Sequence, residues 1–229
     1  MARITERRKA IQLRRRGYTY SEIRRKLLLP KSTLSDWLRG FILTDSQLNN
    51  LRKHIKRNKY VAMEKTRRVK YEKRQNRLLE IYKNEKRKWL PLSEKELFLA
   101  GLFLYWGEGN KAKRHTVSIN NTDPLVVKFA LYWILKSLKV PKNKVRVFLH
   151  LYSDMNIKKE LTFWKKQLSV KKNQFTKPYI KKTKKSDLDQ KGFGHGTCGI
   201  QVNSTFLKEK ILMSIKAIAD YYDEKLTKI

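Results

Sequence analysis

The sequence predicts an α+β domain preceded by a smaller all-α part, and three observations predict it. Apolar residues recur at helical spacing in short blocks through residue 48. A run rich in Lys and Arg, without Gly or Pro, then extends to about residue 89. After residue 93, alternating strand-type segments are interleaved with apolar helical ones. The 229 residues suit one or two domains. The expected divisions are 1–48, a connector over 49–92, and 93–229.

In the first part, Ile11 and Leu13 close a helix that Gly17 stops. Thr19 and Glu22 have the spacing of a capping box and start a second helix, with Ile23 and Leu27 on its buried face. Leu28-Leu29-Pro30 ends it, because proline disfavours the α region for the residue before it. A third helix starts at Lys31-Ser32-Thr33, carries Leu34, Trp37 and Leu38 on one side, and closes at Gly40.

Thr44 and Gln47 form another capping box. From Arg52 to Lys88 there are 16 Lys and Arg against 4 Glu, with sparse apolar residues. That composition predicts either a long solvated basic helix, broken once at most, or a charged linker ordered only on its ligand. In both readings it connects two modules; as a helix it would also follow backbone phosphates.

Ser93 and Glu96 cap a helix whose body, LFLAGLFLYW, is apolar on every face, which predicts burial in a core or against another chain. HTVSIN (115–120) and VRVFLHLY (145–152) alternate as strands. Asp123-Pro124 opens a helix through Leu138. An amphipathic helix runs from Asn156 to Leu168, with Asp154 as a charge at its N-terminal end, and Trp133, Phe163 and Trp164 read as core. FTKPYIKK (175–182) and TCGIQVNS (197–204) read as two further strands joined by a polar loop, and a last helix runs from Thr205 to about Lys225. The strands should form one sheet with helices on one face.

A net charge of +35, from 55 Lys and Arg against 20 Asp and Glu, favours a polyanionic partner through counterion release. Cys198 is the only cysteine, which excludes a disulfide framework and a thiolate metal site. The four His show no zinc spacing. No apolar run reaches the roughly 18 residues of a membrane span, and MARITERRKA lacks a signal-peptide core. A cytoplasmic, DNA-associated protein is expected.

GYTYSEIRRKLLLPKSTLSDWLRG (17–40) resembles the helix-turn-helix of resolvases and related homeodomain-like modules. That resemblance implies that Lys31, Ser32, Thr33, Ser35, Asp36 and Arg39 touch bases or phosphates of double-stranded DNA. LAGLFLYWGEG (99–109) resembles the signature of LAGLIDADG homing endonucleases. In that family a buried helix joins two like halves, and an acid near its end shares a divalent metal with the scissile phosphate. The resemblance implies a LAGLIDADG-like helices-on-sheet domain, with Glu108 as metal ligand and catalytic acid for Mg²⁺. It also implies a homodimer meeting at Ala100, Gly101, Phe103 and Leu104. With Glu108 on the family's acid, Phe103 stands where a close-packing glycine is usual.

A carboxylate at a helix C-terminus is disfavoured by the macrodipole, so Glu108 is an odd residue there unless a cation compensates it. Lys181 and Lys182 are candidates to stabilise charge on a transferring phosphate. Lys111, Lys113, Arg114, Arg146, His150, Lys177, Gln201 and Asn203 are candidates to contact DNA from the loop and strands. The function these readings favour is a metal-dependent, homing-type DNA endonuclease. The alternatives are a non-cleaving DNA-binding regulator on the same fold and an RNA-binding, maturase-like protein.

Overall fold

The computed structural model describes residues 4–54, 58–185 and 194–227. The chain divides into two compact units, 1–90 and 91–229.

The first unit is all helical. α1 (Ile4–Arg15) ends before Gly17, whose φ is +91° and whose Cβ, if present, would lie 3.0 Å from the backbone nitrogen of Leu51. Both the turn and the close approach therefore require glycine. α2 (Tyr20–Leu27) starts at the expected Thr19–Glu22 capping box and stops at Leu28, which adopts φ 50°. α3 (Lys31–Leu38) follows Pro30. Ala10, Ile23, Leu29, Leu34 and Leu38 form the core of these helices. α4 (Asp45–His54), capped through Thr44 and Gln47, adds Leu43, Leu48 and Leu51 as a second cluster, so the boundary expected at residue 48 cuts through a helix.

α5 (Asn58–Trp89) covers most of the expected connector; residues 55–57, ahead of it, lie outside the described residues. Its first turns belong to the helical core. Val61 is buried, and Glu64 meets the guanidinium of Arg14 at 2.5 Å. The ring of Tyr20 lies between the guanidinium groups of Arg14 and Arg67, 5.0 and 4.5 Å from its centroid. Burial raises the Tyr20 phenol above its ordinary pKa, partly offset by Arg67 and Arg14. Arg68 pairs with Asp45 at 2.7 Å. From Val69 to Leu90 every residue is exposed.

The second unit is α+β. In chain order it comprises α6 (Glu94–Glu108), β1 (Thr116–Asn121), α7 (Pro124–Lys136), β2 (Arg146–Tyr152), α8 (Ile157–Leu168), β3 (Tyr179–Lys181), β4 (Thr197–Asn203) and α9 (Thr205–Leu226). The sheet order is β1-β4-β2-β3; β4 is antiparallel to both its neighbours, and β3 is parallel to β2. Val117, Ile119, Val147, Leu149, Leu151, Cys198, Ile200 and Val202 point to one face, where they pack with Leu102, Trp133, Trp164 and Ile211 of the helices. Burial pushes the Cys198 thiol well above its ordinary pKa, so it acts as a small core residue.

Three local expectations need correction. The strand expected over 175–182 forms only at Tyr179–Lys181, because Pro178 has no N–H to donate and Lys172–Gln174 is a 3-10 turn. Asn156, not Asp154, caps α8, accepting from the Lys159 amide; Asp154 accepts instead from the Lys185 amide. Gly101, expected between two chains, is buried within its own: a Cβ there would lie 2.1 Å from the indole of Trp133. The polar loop expected between the last two strands lies largely at 186–193, outside the described residues.

Candidate nucleic-acid interface

Period-2 alternation sends one set of side chains in the sheet to the helices and the other to an uncovered face. That face carries Ser118 and Asn120 from β1, and Gln201 and Asn203 from β4. It also carries Arg146, Phe148, His150 and Tyr152 from β2, and Tyr179 and Lys181 from β3. The register sets them in rows: Ser118, Gln201 and Arg146 in one, Asn120, Gly199 and Phe148 in the next, then Thr197, His150 and Tyr179. Amides beside cations suit a surface where phosphates position a nucleic acid and hydrogen bonds read it.

Phe148 reaches sideways over β4. A Cβ at position 199 would lie 2.0 Å from its Cζ, so glycine is required opposite it. His150 lies 5.4 Å from Phe148 and 5.4 Å from Tyr179, ring centre to ring centre. Burial, with Lys181 and Lys113 nearby, lowers the His150 pKa and keeps the imidazole neutral at pH 7. A hollow of about 440 Å³ opens beside these rings, bordered by Asn110, Lys113, Asn120, Lys177 and Gln201. Lys181 sits over the ring of Tyr152, 4.8 Å from its centroid.

Glu108 is the last residue of α6 and is exposed, with no hydrogen-bond or ion-pair partner among the described residues. The turn after it is tightly held. The Gly109 amide donates to the carbonyl of Tyr105, and a Cβ at Gly109 would lie 2.4 Å from that oxygen. The Asn110 amide donates to Ser118, which joins the turn to the margin of β1. The Tyr105 phenol donates to the Asn110 carbonyl at 2.6 Å. Beneath it, the buried Lys208 ammonium donates to the Tyr105 oxygen at 2.6 Å and to the Asn110 carbonyl. Burial, reinforced by Lys111, lowers the Lys208 pKa, and burial pushes the Tyr105 phenol up to about 12. Phe103 and Trp106 stack on each other at 5.9 Å on the outer side of α6, and nothing lies within 4 Å of a Cβ at Gly107.

In the first unit, Lys31, Ser32, Asp36 and Arg39 are exposed on α3, while Thr33 and Ser35 are half-buried. Asp36 and Arg39 form a solvent-exposed pair at 3.7 Å. Lys31 and Ser35 border a cleft of about 860 Å³ whose far wall is α5, with Met63, Arg67 and Lys70.

The structure brings together His150, Lys113, Lys177 and Gln201 around the hollow, with Arg146 and Asn203 on the same sheet face. It does not bring Lys181 and Lys182 to Glu108. The 109–110 segment lies outside β1, and β3 is the opposite edge. At about 4.8 Å per strand, the two margins are roughly 19 Å apart. Lys182 is exposed beyond β3 and Arg114 is exposed in the loop before β1. Lys111 donates to the carbonyls of Trp106 and Gly107, so it caps α6 rather than standing free for DNA. Arg146 is tethered to the Asn173 carbonyl at 3.0 Å. Sequence reasoning missed Asn120 and Phe148, although the alternation that selected Arg146 and His150 also selects them; Ser118, in the same alternation, is buried. It missed Tyr179 because only the β2–β3 register places it.

Among the described residues, no three His, Cys, Asp or Glu cluster as metal ligands. Nor is any described helix long and apolar enough to cross a membrane. Compared with known proteins, the chain matches no family model, no curated protein and no solved structure.

Proposed function

We propose that this chain is a site-specific DNA-binding protein that contacts duplex DNA with α3 and with the open face of its sheet. The observation that carries the reading is that face: amide, imidazole, phenol and cationic side chains in register, uncovered by any described helix, in a chain of net charge +35. The exposed polar side of α3 and the basic, fully exposed second half of α5 support it. Selection of duplexes from a random pool tests it. The expected result is enrichment of one site whose affinity falls steeply with salt; a pool that stays unenriched overturns site specificity.

A second reading, cleavage by a LAGLIDADG-like homodimer, is favoured by one specific observation. Glu108 is an exposed, unpartnered carboxylate beside the exposed apolar side of α6 formed by Phe103, Trp106 and Gly107. Among the described residues no group of three His, Cys, Asp or Glu could hold a metal, so on this reading Mg²⁺ would be held by Glu108 of two chains together with phosphate oxygens. When bound there, the ion would neutralise charge on a reacting phosphate and lower the pKa of a water. Glu108 would hold the ion, and the Tyr105–Asn110–Lys208 bonds would hold the Glu108 turn in place. Incubation with Mg²⁺ and the DNA flanking the gene's own locus tests it. Site-specific nicking is expected, and intact DNA across a range of protein concentrations removes the reading.

A further inference from the structure

The open sheet face holds more aromatic surface than groove reading requires. A paired base shows its neighbours only its edge, because its faces are covered in the stack. Side chains that read edges are amides, guanidiniums and hydroxyls. Aromatic faces become useful only when a base has left the stack. Here Phe148, His150 and Tyr179 stand side by side on β2 and β3, with ring centres 5.4 Å apart and planes inclined by 47° and 68°, so a base that lies flat on one ring meets the next at its edge. Gly199 is required beneath Phe148, because any Cβ would push that ring away from the sheet. The hollow beside these rings, about 440 Å³, falls within the size range of small-molecule sites.

The polar lining has unused hydrogen-bonding capacity. Asn120, Gln201 and His150 are half-buried, yet their side chains have no hydrogen-bond partner among the described residues. Each amide offers two donors and an acceptor, which matches the mixed edge of a nucleobase. The neutral imidazole of His150 stacks without carrying a charge into the hollow. Lys113 and Lys177, both exposed, stand at its rim where a backbone phosphate would lie.

We propose that this hollow holds a single unpaired nucleobase, stacked on the exposed ring of Tyr179 beside His150 and Phe148, its edge bonded by Asn120 and Gln201, its phosphate by Lys113 and Lys177. The inference rests on reading the sheet face as a nucleic-acid surface and adds that the favoured substrate is not fully paired.

The test compares three DNA probes on the full-length protein: a paired duplex, the same duplex with one extrahelical 2-aminopurine, and the single strand alone. Wild-type protein is expected to bind the bulged duplex about tenfold more tightly than the paired one, the size of one base–aromatic stack. It is also expected to quench the 2-aminopurine. Tyr179→Ala, at a side chain 61% exposed and outside the core, should erase both the preference and the quenching, so that the paired and bulged duplexes bind alike. Gly199→Ala should do the same by displacing Phe148. A single strand that binds as well as the bulged duplex, with the same loss in Tyr179→Ala, supports the hollow and identifies its source as single-stranded DNA. Equal affinity for paired and bulged duplex without quenching overturns the hollow but leaves duplex binding standing. No binding to any probe overturns the nucleic-acid reading itself.

Discussion

Replacing Glu64 with Ala should loosen α5 from α1 and α2. Arg14 is 1% exposed, and its charge is met by Glu64 at 2.5 Å and by the Tyr18 carbonyl at 2.9 Å. Removing the carboxylate leaves a buried guanidinium with one neutral acceptor and the ring of Tyr20. Breaking a buried pair from one side costs about 3 kcal/mol. For a unit of this size that corresponds to a fall of roughly 12–24 °C in its melting temperature. Arg14→Met removes the buried charge as well, so it should cost less than Glu64→Ala, and the double variant should resemble Arg14→Met. Calorimetry on the full chain reports the transition of the helical unit. Hydrogen exchange should show faster exchange of amides 60–68, with 70–89 unchanged. Equal stability of Glu64→Ala and wild type would refute the buried pair as the element that joins α5 to α1 and α2.

On the cleavage reading, with Glu108 as the ligand of Mg²⁺, Glu108→Gln is expected to abolish nicking while leaving DNA affinity intact, as read by supercoil relaxation beside fluorescence anisotropy. Phe103→Glu, at a side chain 49% exposed, should leave the fold intact but keep the protein monomeric by light scattering on DNA. Lys31→Ala and Arg39→Ala should each reduce the salt slope of DNA binding by about one, and unchanged slopes would remove α3 from the phosphates. Lys208→Met should raise stability at neutral pH. The folded pKa of Lys208 lies below its unfolded value of 10.5. The unfolded chain therefore binds more protons between the two values, and stability rises with pH across that window. The variant should lose that rise. It should keep the opposite fall above pH 10, where the Tyr105 phenol ionises in the unfolded chain but holds its proton to about pH 12 when folded.

Features written in short stretches of chain were legible. The capping boxes at Thr19–Glu22, Thr44–Gln47 and Ser93–Glu96 each join residues three apart, and Asp123-Pro124 opens α7 as expected. Period-2 alternation gave β1, β2 and β4 and, of their outward residues, Arg146, His150, Gln201 and Asn203. Contacts between residues distant in sequence were not legible. Arg14 meets Glu64, Gly101 accommodates Trp133, Gly199 accommodates Phe148, and Lys208 reaches Tyr105. No local pattern marks these partners, because each depends on which elements the fold brings together. Lys111 misled for the same reason: its charge read as a phosphate contact, but the end of α6 lies within its reach. The charge of the 52–88 run also concealed that its first turns carry Val61, Glu64 and Arg67 into the helical core.

The two glycines of α6 separate binding from cleavage as experimental questions. Gly101 faces Trp133, so a bulky residue there destroys the core of the second unit before any assembly is affected. Gly107 faces open space, as Phe103 and Trp106 do in large part. A charged residue at Gly107 therefore perturbs only what approaches that side from outside. Glu108 stands at the end of α6, beyond the β1 margin of a sheet whose open face is cationic and polar. On the proposed reading, DNA binding draws on that sheet and α3 alone. The cleavage reading draws in addition on a second Glu108, hence a second chain across this side of α6. Gly107→Arg should consequently abolish cleavage while preserving affinity for one half-site. A variant that still cleaves as a monomer would place the hydrolytic site elsewhere in the molecule.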